Sequence, residues 1–313
     1  MTEFVELGKK IYRLNNPREA HRFAVFIARC CLHPGKIAEL KNFFSGSEIL
    51  SEMAENYPFF YEQVTRAFFF HRSTFDERMK LVKENAEFFS ETMNRDFLRM
   101  LYGEKTIDLW KLAIDENFGD LELILRAEPG QRKESLASVM LRLNGKINVY
   151  QIMFWIARDD LTGFSDATGD FAMWIGAIQG PNVENARELI KKITKKSQAY
   201  RTKNLILYAA RAVARSLGVK KIFAVTNEGY YANNHIRRDR KLKVNFADLW
   251  QESGGTLTED KRFFPLPLIE KRKTVEEMPS QKRALYRRRF AMLDELDAAV
   301  EEKISSFKRG AAK

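Results

Sequence analysis

The sequence is poor in cysteine, histidine, glycine and proline. Its two cysteines, Cys30 and Cys31, are adjacent within an apolar helical run, and neighbouring residues seldom reach disulfide geometry, so we interpret both as small buried side chains in a reducing compartment. The four histidines lie far apart without the spacing of metal ligands, so no metal site is predicted. The low glycine and proline contents, 16 and 8 of 313 residues, exclude fibrous and low-complexity classes.

Long apolar segments and a leader sequence are also missing. No run of about 18 apolar residues is present to span a bilayer. The first residues, MTEFVELGKK, lack the charged and then apolar layout of a signal peptide. We therefore expect a cytoplasmic protein, with peripheral contact at the inner membrane as an open alternative.

Aromatic residues and positive charge are abundant instead. The chain has 24 Phe, 10 Tyr and 4 Trp, and its hydrophobic content of 45% is that of a globular protein. Its formal net charge of +11 indicates an anionic partner, such as nucleic acid, a membrane surface, a phosphorylated cofactor or an acidic carrier protein. The charge alone does not distinguish between these partners.

Residues 3 to about 115 have the apolar spacing of helices. Asn16 is a suitable N-cap, and Pro17 suits the first turn of a helix whose apolar residues recur at three and four. The aromatic cluster 68–70 fits the same period, and we interpret it as helix core rather than as a cofactor pocket. The sequence thus predicts a helical domain over residues 1–115.

The pattern changes near residue 120. Segments rich in Val, Ile, Phe and Trp alternate with turn-like segments, which is typical of an antiparallel meander. Asn144 and Gly145 form the strongest hairpin signal and make the two flanking strands neighbours. Pro265 and Pro267 favour an edge strand, because proline cannot donate a hydrogen bond to a sheet. The expected fold class is α+β, with a mixed sheet flanked by helices over 116–270 and a long basic C-terminal helix over 271–313.

One stretch combines apolar helix with positive charge. From Lys191 to Lys221 the chain has ten Lys or Arg residues and no acid. A basic loop before the helix at Leu205 would bring free amides and cationic side chains to an anion such as a phosphate. Candidate cofactor-binding residues are Gln179, Tyr200, Arg201, Thr202, Lys203 and Asn204. The alternative is a solvated basic face on a structural helix pair.

The order of strands and helices resembles that of the GNAT N-acyltransferase fold. The carrying features are antiparallel strands, a strand that ends at Gly180, the basic loop QAYRTKN, and the strand 221–226. This resemblance implies a GNAT-like sheet and an N- or O-acyltransferase that binds a phosphate-bearing acyl donor at the loop. Because no glycine falls between Pro181 and Leu217, where coenzyme A sites usually have them, acyl carrier protein and aminoacyl-tRNA are candidate donors beside acyl-coenzyme A.

The same resemblance implies catalytic residues in the segment TNEGYY. Tyr230 and Tyr231 stand where such enzymes often keep a tyrosine as general acid for the leaving group. Asn227 and Glu228 follow the strand and would orient or deprotonate an acceptor amine. Each of the four is alternatively a surface or capping residue.

A second resemblance is carried by several blocks in order. GAIQGP, AYRTKNLILYAARAVARSLGVKKIFAVTN, RDRKLKVNFADLWQESGGT, FFPLPL and EEMPSQKRALYRRRFAMLDEL, within residues 95 to 297, look like the VirK/YbjX family of bacterial proteins. Members often have Gly-Leu-Arg-Pro-Lys at 199–203, where this chain keeps Arg201 and Lys203, and a histidine soon after 226–227. The resemblance implies a role in virulence, in the surface localisation of an outer-membrane protein and in tolerance of envelope stress in a Gram-negative bacterium.

Two functions therefore stay open. The first is an acyltransferase-like enzyme that moves an acyl or aminoacyl group from a phosphate-bearing carrier to an amine or hydroxyl, with a peptide or lipid as acceptor. The second is a non-catalytic basic adaptor that binds nucleic acid or the inner membrane surface. Cations interleaved with aromatics at 282–290 suit the second function.

Overall fold

Seven helices occupy residues 1–103, all of which are described in this computed structural model. The structure further describes residues 105–115, 118–233 and 245–310, so the basic segment 234–244 lies outside the described residues. The helices are α1 (Thr2–Ile11), α2 (Pro17–Leu32), α3 (Pro34–Phe44), α4 (Glu48–Asn56), α5 (Phe59–Thr65), α6 (Phe75–Thr92) and α7 (Arg95–Tyr102).

Side-chain caps begin four of these helices, and one of the four, Asn16, was predicted from the sequence. The Asn16 side chain accepts a hydrogen bond from the Arg18 amide at 3.0 Å, which confirms it as the N-cap of α2. Thr74 and Glu77 form a capping box at the start of α6. The apolar faces of the helices meet in an aromatic core that includes Phe44, Phe60, Phe89 and Phe97.

Seven strands of the described residues form one mixed sheet in the order of the chain. Neighbours pair antiparallel except β5 and β6, which are parallel. The α+β class and the mixed sheet are therefore confirmed. The strands are β1 (Ile107–Asp115), β2 (Gly119–Arg126), β3 (Ala137–Leu143), β4 (Ile147–Arg158), β5 (Phe171–Gln179), β6 (Lys221–Val225) and β7 (Phe263–Leu266).

The sheet begins earlier than the sequence analysis predicted. Residues 107–115, assigned there to the helical domain, form β1 and pair with β2 from Ile107 opposite Leu125. The side chains of Ile107 and Leu109 lie on the same face of the strand and are buried. The segment is therefore buried by its pairing with β2 and not by the packing of a helix face. Helices and sheet also share one hydrophobic core, and the division of the chain into separate domains stays a prediction.

Helix α6 completes the hydrogen bonding of the central strand. Beyond Phe154, β4 has no partner on the β3 side, and α6 supplies acceptors for the exposed amides. The Ile156 amide donates to Asn85 and the Arg158 amide donates to Glu84, both at 2.9 Å. Burial raises the pKa of Glu84. These bonds fasten the helical part to the sheet.

Two turn and edge predictions are confirmed. Asn144 and Gly145 have φ of 52° and 63° and connect the antiparallel strands β3 and β4. The strand β7 lies at the edge of the sheet, and its Pro265 stands opposite Phe223 of β6. Proline is tolerated at this position because, in this register, an amide at residue 265 would have no hydrogen bond to make with β6.

Four helices follow β5 within the described residues. They are α8 (Ala186–Lys196), α9 (Thr202–Leu217), α10 (Phe246–Glu252) and α11 (Ser280–Ser305). Helix α9 is buried along most of its length, and the long α11 packs on it. The C-terminal helix begins later than the predicted residue 271, because Pro279 lacks an amide and precedes its first turn.

Two features concern the surface. Cys30 is buried as expected, but Cys31 is exposed, because the neighbouring position on α2 turns away from the core. No helix among the described residues has the length and apolar content needed to cross a membrane.

Candidate functional site

The parallel strands β5 and β6 separate at one end. Their pairing runs from Ala172 opposite Lys221 to Ile175 opposite Ala224. At the next residue, Gly176, the register of β5 against β4 shifts, and β5 continues to Gln179 without β6 as a neighbour. Diverging strands of this kind leave backbone N–H and C=O groups without a partner strand at the carboxyl end of a sheet.

Trp250 fills the gap between the separating strands. Thr226 donates its amide to Arg262 beside β7, so the Val225 carbonyl, one residue earlier, faces the β5 side. The Trp250 indole donates to that carbonyl at 2.8 Å and is fully buried. The gap between β5 and β6 is therefore closed by a side chain of α10.

A cleft of about 520 Å³ lies beside the closed gap. The end of β5 with residues 177–182 forms one wall, and the turn 130–134 forms another. Tyr230, Tyr231 and Phe246 line the remaining side. With Met153 of β4, the cleft thus collects side chains from five separate parts of the chain at the carboxyl ends of the parallel strands.

Tyr230 and Glu134 form a buried pair in the cleft. The Tyr230 hydroxyl donates to Glu134 Oε1 at 3.0 Å, and both residues are at most 9% exposed. Burial is the larger cause of the raised pKa of Tyr230, and the negative charge of Glu134 raises this pKa further. The phenol therefore keeps its proton at neutral pH and can donate it.

An aromatic loop from the helical region supports Tyr230. Residues 68–70, interpreted from sequence as helix core, are buried but lie in the loop between α5 and α6. The Phe70 backbone bridges Tyr230, and the His71 amide donates to Gly229 at 2.8 Å. Phe69 has a φ of 69°, which is strained for a bulky residue. The tertiary contacts hold this loop in a conformation that its local sequence disfavours.

The predicted catalytic residues separate into two groups. Tyr230 and Tyr231 line the cleft, as does the predicted cofactor residue Gln179, whose Oε1 accepts from Gln131 at 3.1 Å and Gln151 at 2.9 Å. Asn227 instead accepts from the Phe246 amide at 2.7 Å and so caps α10, which was its alternative assignment.

Glu228 is exposed, and its backbone carbonyl accepts from Asn233 at 2.9 Å. It does not line the cleft.

The other predicted cofactor residues lie around the start of α9, away from the cleft. Tyr200 is buried, and its hydroxyl donates to Glu270. Thr202 is buried against Thr194, with their hydroxyl oxygens 3.2 Å apart, and Lys203 pairs with Glu252 of α10 at 3.0 Å. The structure therefore does not bring the predicted phosphate contacts and the predicted tyrosines into one pocket.

The amides before Leu205 are partly used within the helix. The amides of Asn204 and Leu205 donate to the Arg201 carbonyl at 2.8 and 3.0 Å, and no side chain caps α9. Arg201 and Asn204 line a second groove, formed with residues 270–273 and the start of α11. The basic loop thus faces the C-terminal helix.

Glu134 was missed by the sequence analysis. It lies in the segment QRKES, where an acid before a strand is ordinary, and no spacing connects it to Tyr230, 96 residues away along the chain. From the sequence, the region before β3 was treated only as one of the turn-like segments between strands.

Comparison with known proteins places the chain in a family. A family model described as "Protein of unknown function (DUF535)" matches residues 15–302. The chain belongs to the DUF535 family. An uncharacterized Haemophilus influenzae relative of this DUF535 chain is 25% identical over 278 residues, which cover 88% of the chain and 87% of the relative.

Two named relatives support the VirK/YbjX-type resemblance of the sequence. The uncharacterized protein YbjX of Escherichia coli is 30% identical over 180 residues, 57% of this DUF535 chain and 51% of YbjX. The membrane protein LapB of Mannheimia haemolytica is 24% identical over 201 residues, 63% of the chain and 79% of LapB. No solved structure matches the chain.

Proposed function

We propose that this DUF535 protein is an acyltransferase-like enzyme whose active site is the cleft around Tyr230. The observation that carries the proposal is the buried hydrogen bond from Tyr230 to Glu134, at 3.0 Å, in a cleft at the carboxyl ends of parallel strands. Open sheets commonly bind ligands at that end. A buried phenol that is hydrogen-bonded to a carboxylate at the wall of a cleft suits proton transfer rather than simple packing.

In the proposed reaction, an amine or hydroxyl of the acceptor attacks the acyl carbonyl of the donor. A new bond forms between acceptor and acyl group, and the bond from the acyl group to its carrier breaks. Tyr230 gives its proton to the departing thiolate or alkoxide, and the proton lost by the acceptor returns to the Tyr230 and Glu134 pair. Tyr231 and Gln179, at opposite walls of the cleft, are proposed to orient the two substrates.

The closed gap between β5 and β6 limits how the acyl donor can bind. Because Trp250 occupies the gap between β5 and β6, the acyl arm would enter along the open end of β5 at Gln179 and Gly180. Gly180 leaves room there because it has no Cβ, which would lie 3.3 Å from the Tyr150 ring in a tight contact. Acyl-coenzyme A, acyl carrier protein and aminoacyl-tRNA all stay candidate donors, and the GNAT-like description of the sheet stays part of this proposal.

An envelope- or peptide-modification role fits the named relatives. One relative is called a membrane protein, and the VirK/YbjX resemblance implies tolerance of envelope stress. We propose a cytoplasmic protein that meets the inner membrane peripherally, with a peptide or lipid as acceptor.

A donor panel tests the proposal. The purified protein is incubated with acyl-coenzyme A, acyl carrier protein or aminoacyl-tRNA and with peptide and lipid acceptors, and acceptor mass is measured. Transfer that depends on Tyr230 and Glu134 is expected with one donor. Silence with all three donors would contradict it.

The second candidate is a non-catalytic adaptor that binds an anionic partner. Its supporting observation is the cationic surface formed by the start of α9, residues 271–273 and the first half of α11. The adaptor function predicts salt-dependent binding that is unchanged by Tyr230→Phe.

A further inference from the structure

A second groove, distinct from the Tyr230 cleft, is strongly cationic. It encloses about 430 Å³ between the loop before α9, residues 270–273 and the first half of α11. We call it the basic groove. Its lining includes five cationic side chains and one carboxylate, and the cations are Arg201, Lys271, Arg272, Lys273 and Arg289. These residues come from three segments, so only the tertiary fold collects their charge.

Two arginines of the basic groove are held in place by the protein. Arg289 donates to the carbonyls of Gln198 and Ala199, both at 3.0 Å, and its guanidinium lies 4.3 Å from the Tyr286 ring centroid. Arg272 donates to Asp294 at 2.6 Å and also to Tyr208. Fixed guanidinium groups bind an anion without a further loss of side-chain entropy.

The other three cations have no ion-pair partner among the described residues. Arg201, Lys271 and Lys273 make no salt bridge there, although Glu270 lines the groove with them and Arg201 interacts electrostatically with Glu252. Glu270 already accepts the Tyr200 hydroxyl and lies 3.8 Å from the buried Arg211. The acid of the groove is thus engaged from its buried side, and an excess of positive charge faces the opening.

The charge of α11 is not explained by helix stability. Its first half, 280–290, has five Lys or Arg and no acid, whereas 291–302 has five acids and no Lys or Arg. The first turn of α11 contains no acidic residue. Lys282 and Arg283 lie in the first turn, where cations oppose the helix dipole, so their charge favours an anion near the start of α11.

We propose that the basic groove binds a phosphoryl group, with a pyrophosphate as its best-fitting form. Several cations that converge on a concave site from different sides match the charge and the multiple acceptor oxygens of a phosphate ester or pyrophosphate. The proposal rests on the convergent side chains of the groove, and it holds whether or not the Tyr230 cleft is an active site. The phosphoryl group could belong to a soluble molecule or to a lipid headgroup, and both sources present the same chemistry.

The test measures pyrophosphate binding by calorimetry at low salt. Wild-type protein is expected to bind, and Lys271→Gln/Lys273→Gln is expected to bind at least about tenfold more weakly, because each phosphate contact to a cation is strong. Both lysines are exposed, so the variant should fold, and circular dichroism checks this. The matched control is Lys191→Gln/Lys195→Gln, which removes the same charge from exposed positions on α8 outside the groove, and it should stay within about twofold of wild type.

Vesicles distinguish the two sources. Flotation with phosphatidic acid in phosphatidylcholine, compared with phosphatidylcholine alone, reports binding to a lipid phosphomonoester. If the groove variant loses vesicle binding and the control variant keeps it, the groove binds a lipid headgroup. If the protein binds pyrophosphate but not vesicles, the groove binds a soluble ligand. The proposal is overturned if wild type binds neither probe, or if both double variants weaken binding equally, since diffuse charge would then explain it.

Discussion

The Tyr230 hydroxyl donates to Glu134 across 3.0 Å, although 96 residues separate the two along the chain. Neither residue reaches this position by local structure. Glu134 ends a turn before β3, and Tyr230 follows β6 and is bridged by the aromatic loop at Phe70. The pair therefore depends on the sheet and the helical region being assembled together.

Removing the phenol tests its proposed role as general acid. Tyr230→Phe should lower acyl transfer by about 10²-fold or more, since positioned acids contribute that much. The lost hydrogen bond should cost about 1 kcal/mol of unfolding free energy. Single-turnover mass spectrometry and urea denaturation measure the two effects. Tyr61→Phe in α5, which lines neither the cleft nor the basic groove, is the matched control and should leave transfer unchanged. Equal activity of Tyr230→Phe and wild type would remove Tyr230 from the mechanism.

Buried tyrosines should resist ionisation in the folded protein. Burial raises the pKa of Tyr57, Tyr102 and Tyr230 above the usual 10. A raised folded-state pKa stabilises the fold fully below pH 10 and loses that contribution as the pH rises further. Absorbance at 295 nm should therefore show these phenols ionising only together with alkaline unfolding, followed by circular dichroism. Full tyrosine ionisation before unfolding would contradict the burial.

Asp159 should stabilise the loop between β4 and β5 in a pH-dependent way. Burial alone would raise the pKa of Asp159, but hydrogen bonds from Lys221, Thr168 and Gly169 outweigh it and lower the pKa to about 2. A depressed folded-state pKa stabilises the fold above about pH 4, and this contribution is lost as the pH falls towards 2. Asp159→Asn should cost about 2 kcal/mol at pH 7.

Urea denaturation at pH 7 and pH 3 checks this prediction. The difference between Asp159→Asn and wild type should shrink at pH 3, where the unfolded-state carboxylate is protonated. A difference that is the same at both pH values would show that shape, and not charge, accounts for the loss.

Gly176 should be intolerant of any side chain. A Cβ there would lie 2.1 Å from the Glu134 carbonyl oxygen and 2.8 Å from the Trp155 ring. Gly176→Ala should therefore cost about 2 kcal/mol and displace Glu134, with loss of transfer activity. Gly35→Ala is the control, because its Cβ would meet nothing within 4 Å in α3, and alanine favours a helix. Calorimetric melting of both variants measures the contrast, and equal melting temperatures would contradict the close approach.

Several elements were predictable because they follow from local chemistry. Asn16 caps α2, Asn144 and Gly145 form the hairpin, and Pro265 lies in the edge strand, each for a reason contained in a few neighbouring residues. β1 was misassigned because its burial comes from β2, outside its own segment. Tyr230 became a candidate through its place after β6, whereas Glu134 carried no local signal.

The sequence by itself determined the α+β class, the hairpin between β3 and β4, and the excess of positive charge near α9 and α11, because residue periodicity, turn chemistry and charge are local quantities. The tertiary structure alone decided that Trp250 fills the gap between β5 and β6, that Glu134 meets Tyr230, and that Arg201 and Arg289 line the same groove. These arrangements depend on contacts between residues distant in the chain, whose energies arise only when the sheet and the helices pack together.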